Sequence, residues 1–475
     1  MREGHVQVEQ ADVVLLGLGT GGEDLALRLL DEGLDVVGIE PHLVGGECPY
    51  WACIPSKMMI RAANLLQEAR RVNGMAGQAE VIPDWSIVAN RVKTEATGNW
   101  DDSYAVARFE SKGGRFVRGH GKLTGPNTVT VGEQSFTATR GIVIATGSRP
   151  FIPPIPGLSE VDYWTTHDAM QTQTLPKSLI VLGGGAVGCE LGQVFSRFGV
   201  DVTIAEGSDR LLALEEPEAS GVIALAFEAE GISVHTGEHV ERIESRGNLI
   251  FATLTDGTEL SAERLLVATG RAVDLDGLGL ESAGIETSGR FVPVDEYLRA
   301  ADRVWAMGDV TGNGMFTHMA LYEGAIVAGG ILGEDPSPAD FTSLPRVTFT
   351  DPEVGSVGMN EAAARKAGLN VAVSVKQVPL TSRGWIHGPS AAGVIKLIVD
   401  KDNGLVVGAT SAGPQGGEVL SMLSLAVQAE VPYQQLRHMI YAYPTFHGGI
   451  GEATGAYGRG TMKVIDPDFD PLILE

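Results

Sequence analysis

Short apolar runs alternate with mixed stretches along the first half of the chain. Val13-Val14-Leu15-Leu16 and Val36-Val37-Gly38-Ile39 read as strands, and the stretch between them reads as a helix opened by a glycine-rich turn. The pattern then repeats. Leu179-Ile180-Val181-Leu182 and Val202-Thr203-Ile204-Ala205 are again strands flanking a helix. In each copy the first strand runs into a fingerprint, Gly17-Leu18-Gly19-Thr20-Gly21-Gly22 or Gly183-Gly184-Gly185-Ala186-Val187-Gly188, and the second strand closes on an acid, Glu40 or Glu206. Two βαβ units with an acid at matching distance are strong evidence for two dinucleotide sites, where one GxGxxG alone is weak. Gly17 and Gly183 permit the tight turn, Gly19 and Gly185 let backbone approach a pyrophosphate, and Gly22 and Gly188 let helix and strand pack. The helix N-terminus then faces the phosphates, and Glu40 and Glu206 can accept from ribose hydroxyls.

From about Leu344 the character changes. Val394-Ile395-Lys396-Leu397-Ile398-Val399 and Leu405-Val406-Val407-Gly408-Ala409 read as strands, and a helix is expected from about Gly417 to Ala429. No fingerprint occurs there, so this part is an α+β domain.

Composition narrows the field. At 475 residues the chain exceeds one hydrophobic core, and 44% hydrophobic with 20% charged residues is ordinary for a globular protein. A formal charge of −25 argues against nucleic acid or an anionic membrane as partner. No apolar run is long enough to span a bilayer, and the start, Met1-Arg2-Glu3-Gly4-His5, lacks the apolar core of a signal peptide, so cytoplasmic residence is expected. Of three cysteines, Cys48 and Cys53 lie within Gly45-Gly46-Glu47-Cys48-Pro49-Tyr50-Trp51-Ala52-Cys53-Ile54-Pro55-Ser56-Lys57, just after the first fingerprint. A pair so spaced can open and close as a disulfide, and so few cysteines exclude a structural disulfide framework. Cys189, inside the second fingerprint helix, reads as a buried, inert thiol. No metal-ligand set is read from the sequence.

These motifs, with Ile144-Ala145-Thr146-Gly147-Ser148-Arg149-Pro150, Val267-Ala268-Thr269-Gly270-Arg271, Trp305-Ala306-Met307-Gly308-Asp309-Val310 and Phe349-Thr350-Asp351-Pro352-Glu353-Val354, resemble the FAD-dependent pyridine nucleotide–disulfide oxidoreductases over nearly the whole chain. Members of that family include dihydrolipoamide dehydrogenase, mercuric reductase and mycothione reductase. The resemblance implies an α/β protein with two Rossmann-like dinucleotide-binding domains, for FAD and NAD, and a C-terminal α+β dimerisation domain. It places the FAD domain at residues 1–160 and 272–343, the NAD domain at 161–271 and the interface domain at 344–475 of a homodimer. It further implies that Cys53 is the thiol against the flavin and Cys48 the outer thiol that attacks substrate. Lys57 would sit near the flavin, paired with Glu190, and Asp309 would hold the ribityl chain. Gly46, Thr146, Gly147 and Gly270 would complete the cofactor contacts. His318 matches a flavin-proximal His, a plain helix N-terminal residue being the other reading.

Two departures matter. Where the family carries a His–Glu base dyad, this chain has Tyr443 and Gly448. Tyr is a poor base at neutral pH, its pKa being near ~10. His447, four positions on, is the candidate substitute. Mercuric reductases also resemble the chain in having a Tyr there, but they need a further C-terminal cysteine pair, and no Cys follows Cys189. Between the redox cysteines, Tyr50 and Trp51 replace a small polar spacer; a substrate-stacking and a core-packing role are both open. Arg383-Gly384-Trp385-Ile386-His387 is a basic-aromatic cluster that reads as a surface loop, contact with an acidic substrate being the other reading. Three functions are therefore carried forward: electron transfer from NAD, with NADP an option, through FAD to a disulfide or dithiol; reduction of a quinone, metal ion or oxygen by the same cofactors; and a non-catalytic flavin-bound paralogue.

Overall fold

The computed structural model describes residues 8–286 and 288–455; the polar start Met1–His5 and the far ends of the expected first and last domains lie outside them. The chain divides into two compact units: one built from residues up to 58, 89–151 and 271–341, the other from 59–88, 152–270 and 342 onward.

The first unit is organised by a sheet in the order Arg299–Ala301, Val304–Ala306, Gln134–Ile144, Val8–Leu16, Val36–Glu40, Arg115–Arg118. The strand read at Val13–Leu16 begins earlier, at Val8, because Val8–Ala11 pair in parallel with Ser135–Ala138. Val36–Glu40 pairs in parallel with the other side of Val8–Leu16. The helix Thr20–Asp31 crosses between them, burying Leu25, Ala26, Leu29 and Leu30 against Val13, Leu15, Val36 and Phe109. Gly33, at φ +79°, ends that helix in the left-handed conformation that a side chain would disfavour.

The second unit repeats the arrangement. Its parallel sheet runs Ser233–Thr236, Asp201–Glu206, Ser178–Leu182, Arg264–Val267, crossed by the helix Ala186–Arg197. A three-stranded antiparallel sheet, Val240–Arg246, Leu249–Leu254 and Glu259–Ala262, packs its inner residues with Leu158, Ile180 and Leu182. The same unit contains a five-stranded antiparallel sheet in the order Pro345–Thr348, Glu353–Gly358, Leu405–Gly413, Val394–Asp400, Val371–Gln377. The helix Gly416–Gln428 buries Val419, Leu420, Leu423 and Ala426 on that sheet, close to the expected position.

One expectation is corrected. Ser382–His387 is a short helix, not a loop, because the Thr381 side chain accepts from the Gly384 N–H at 3.0 Å and caps its first turn. No helix among the described residues is long and apolar enough to cross a membrane.

Candidate active site

The two glycine fingerprints build matching cradles. Gly17 and Gly183 have φ of +100° and +106°, and a Cβ on either would lie 2.3 or 2.5 Å from the carbonyl oxygen of Ala145 or Ala268. Those alanines open the two Ala-Thr-Gly segments, so each tight turn is wedged against one of them. A Cβ on Gly22 or Gly188 would fall 2.3 or 1.9 Å from the Gly17 or Gly183 carbonyl oxygen, which is the close helix–strand packing that glycine permits. Gly19 and Gly185 differ: an added Cβ would meet nothing within 4 Å. The space over each helix start is therefore open, while the first helical N–H groups lack intrahelical acceptors.

The closing acids match as well. Glu40 accepts from the Leu18 N–H and the His42 N–H, both at 2.9 Å. Glu206 accepts from the Gly184 N–H at 2.5 Å and the Ser208 N–H at 2.6 Å. Each carboxylate is thus fixed beside its glycine turn with lone pairs to spare for ribose hydroxyls. An open phosphate space, free helix N–H groups and an oriented acid together fit a dinucleotide in both cradles. Thr146 is exposed beside Gly147 at φ +68°, and Gly270 has φ +116° after Thr269 in the second copy.

In the first unit the cysteine segment packs directly on the first fingerprint. The Gly45 N–H donates to the Leu18 carbonyl at 2.7 Å, Thr20 Oγ1 donates to the Gly45 carbonyl at 3.0 Å, and a Cβ on Gly46 would lie 2.8 Å from the Gly19 Cα. Cys48 lies in the single turn Glu47–Tyr50, and Cys53 opens the helix Cys53–Arg71. Both are free thiols and half-buried. The hydrogen bond from the Cys48 thiol, then Thr317 and the Lys57 ammonium, outweigh burial and lower the Cys53 pKa from 9.0 to about 6. Thr317 Oγ1 lies 3.3 Å from Cys53 Sγ. Cys48 moves the other way, its thiol held protonated by the bond it gives Cys53 and by burial. One sulfur is a thiolate at neutral pH and its neighbour is the proton donor to it. Tyr50 is buried and Trp51 stacks on Trp100, their centroids 5.7 Å apart.

Asp309 also lies in the first unit, hydrogen-bonded by Ser148 and 3.6 Å from Arg271. Arg271 further donates to the Ser148 carbonyl at 2.6 Å and to Glu47 at 3.3 Å. The Gly308–Thr311 turn bearing Asp309 is held by buried Glu323, which accepts from the Gly308 N–H at 2.5 Å and from Thr311 and Asn313 at 3.2 and 3.0 Å. His318 is exposed in the first turn of the helix Thr317–Leu332 and stacks on Phe316. Sequence reasoning missed Thr317, Arg271, Ser148 and Glu323 as site-builders. Ser148 and Arg271 lay inside the two Ala-Thr-Gly motif segments, where roles went only to Thr146, Gly147 and Gly270; around Thr317 and Glu323 only His318 and Asp309 drew notice.

In the second unit Glu190 is buried in the helix Ala186–Arg197 and accepts from the Phe349 N–H at 2.8 Å. Cys189 is fully buried, its thiol 3.2 Å from the Gly184 carbonyl and its pKa raised by burial. Tyr443 is 78% exposed and donates to Ser382 Oγ at 3.0 Å. His447 is half-buried beside Tyr441 and precedes the helix Gly448–Ala453.

Residues 11–324 match the family described as pyridine nucleotide-disulphide oxidoreductase, and residues 344–454 match the dimerisation domain of that family. The chain is 36% identical to a mercuric reductase of Streptomyces lividans, over 95% of this chain and 97% of the relative. It is 32% identical to a dihydrolipoyl dehydrogenase of Haloferax volcanii, over 93% and 95%. Among solved structures, the Cu(II) complex of the HOCl-induced flavoprotein disulfide reductase RclA from Escherichia coli superposes with a TM-score of 0.82 at 27% identity, covering 94% of this chain and 99% of that one. With two matched cradles, a paired thiol and thiolate, and this extent of similarity, the chain belongs to the pyridine nucleotide-disulphide oxidoreductases, an enzyme family that works with FAD and NAD(P).

Proposed function

We propose that this enzyme passes electrons between NAD(P)H and a disulfide or dithiol through the Cys48–Cys53 pair. The observation that carries this reading is the division of labour between the two sulfurs: Cys53 favoured as thiolate, Cys48 favoured as thiol, both beside the first cradle. FAD held by Gly17, Gly19, Gly22, Glu40, Gly46, Thr146, Gly147 and Asp309 supplies the two-electron relay between nicotinamide and dithiol. NAD binds at Gly183, Gly185, Gly188, Glu206 and Gly270. Cys48 attacks the substrate disulfide and Cys53 resolves the mixed disulfide. Lys57 stabilises the Cys53 thiolate, and its pairing with Glu190 belongs to the same proposal. Tyr443, with His447 nearby in sequence, stands where the family's base would act on the partner's thiol.

Glu206 supports NADH over NADPH, since its carboxylate suits a 2′-hydroxyl and repels a 2′-phosphate. The homodimer reading is supported by apolar side chains left open on the matched dimerisation segment: Leu380, Trp385, Ile386 and Ile440 are 65%, 78%, 49% and 94% exposed. The domain boundaries 1–160 with 272–343, 161–271 and 344–475 are retained as part of this reading, as is cytoplasmic residence, which suits a pair that cycles in a reducing compartment.

A second reading sends electrons to a quinone, a metal ion or oxygen. Tyr443 in place of the His favours it. Anaerobic addition of NADH separates the two. Reduction with a long-wavelength thiolate–flavin absorption band places the cysteines in the circuit; bleaching without that band, with unimpaired quinone turnover by Cys48→Ser, overturns the disulfide reading.

A further inference from the structure

The backbone between the two cysteines is irregular, and one distant side chain holds it. Trp51, at φ −130° and ψ −7°, ends the turn Glu47–Tyr50, although its N–H still donates to the Glu47 carbonyl at 2.8 Å. Trp100 makes two contacts at this break. Its Nε1 donates to the Tyr50 carbonyl at 3.2 Å. Its ring stacks on Trp51 with planes 19° apart.

Trp100 is delivered by an unusual backbone. The five-residue π-helical turn Val92–Ala96 leads into Asn99 and Trp100 at φ +63° and +56°. Left-handed backbone is unfavourable for a bulky side chain and persists only where surrounding contacts over-determine it. Two residues on, the Asp102 carboxylate accepts from the Val44 N–H at 2.8 Å and from Arg118 at 2.6 Å. The segment 100–102 therefore grips the Cys48 loop on both sides, at Val44 before it and at Tyr50 and Trp51 after it.

We infer that Trp100 is a positioning residue for the redox couple, holding the Cys48 turn where its sulfur can move between a thiol contact with Cys53 and a covalent bond to it. The inference rests on the proposed role of Cys48 and Cys53. Closing the pair, one thiol and one thiolate, releases one proton and two electrons and forms one S–S bond of about 2.05 Å; with one further proton from solvent, these convert an acceptor disulfide into two thiols. With the backbone held on both sides, little more than side-chain rotation is needed. Released, the Cys48 turn samples more conformations and the effective concentration of one thiol at the other falls. The clamp thus favours the closed form.

The test equilibrates the flavin-loaded enzyme with mixtures of oxidised and reduced dithiothreitol, quenches with acid, and counts the Cys48–Cys53 bond by alkylation and mass spectrometry. Trp100→Ala is expected to shift the midpoint toward the dithiol by about fivefold or more. Trp100→Phe keeps a ring for the stack and loses the hydrogen bond; Trp51→Leu does the reverse. Each is expected to shift the midpoint the same way by a smaller factor, with flavin content and circular dichroism unchanged. If both leave the midpoint within about twofold of the parent, Trp100 has no positioning role, whether or not Trp100→Ala folds. A parent that forms no Cys48–Cys53 bond at any ratio overturns the redox-couple reading itself.

Discussion

Replacing Cys48 by Ala should raise the pKa of Cys53 and slow its chemistry at neutral pH. The Cys48 thiol is the largest of the influences that bring Cys53 from 9.0 down to about 6, ahead of Thr317 and Lys57. A hydrogen bond to a charged group is worth ~1.5–3 kcal/mol. At about 1.4 kcal/mol per pKa unit, its loss amounts to about one to two units. At pH 7 the thiolate fraction would fall from about nine-tenths to somewhere between a half and a tenth. The assay is the pH dependence of iodoacetamide alkylation at Cys53, followed by peptide mass mapping, with Cys189 silent because it is buried. Thr317→Val should shift the midpoint upward by less. Lys57→Met should shift it by less again, and by an amount that shrinks as salt is added. A midpoint unchanged in Cys48→Ala would refute the hydrogen-bond account, and a larger shift in Lys57→Met would hand the role to the ammonium. The same shift bears on stability. Because the folded pKa lies below that of a free thiol, Cys53 stabilises the reduced fold fully above about pH 9 and loses that contribution as the pH falls through about 6.

Gly19→Ala should fold with normal stability yet lose flavin, since its Cβ meets no protein atom but enters the phosphate space, whereas Gly22→Ala should lose both stability and flavin; flavin absorbance and thermal unfolding distinguish them. Lys396 is 3% exposed and bonds to Glu216, Glu218 and Glu361 at 2.8–2.9 Å, so Lys396→Met leaves three carboxylates without their shared cation and should cost about 3–5 kcal/mol in urea unfolding. Glu206→Gln should move the NADPH-to-NADH ratio of kcat/KM upward by about tenfold; an unchanged ratio removes Glu206 from cofactor choice. Ile440→Lys should weaken self-association, read by analytical ultracentrifugation, because it places a charge on a side chain 94% exposed in the dimerisation segment.

The sequence by itself determined the parts of this protein whose physics is local. A strand, a glycine turn, a helix and a closing acid form one continuous stretch, so the needs for positive φ, close approach and an oriented carboxylate are written within about 25 residues of one another. Both cradles were legible for that reason, and so was the cysteine pair at the start of a helix. Tertiary structure alone decided which side chains complete them. Thr317 reaches Cys53 from 264 positions away, and Arg271 reaches Glu47 from 224. No periodicity or spacing links such residues, because their proximity follows from sheet order rather than from the chain. The packing of Tyr50 and Trp51 was beyond the sequence for the same reason: Tyr50 is buried and Trp51 lies on Trp100, a partner that no local pattern indicates. The helix Ser382–His387 was misread as a loop for a smaller reason. Its basic and aromatic residues carry no helical stripe, and the Thr381 cap that starts it stabilises the turn only once the backbone is folded around it.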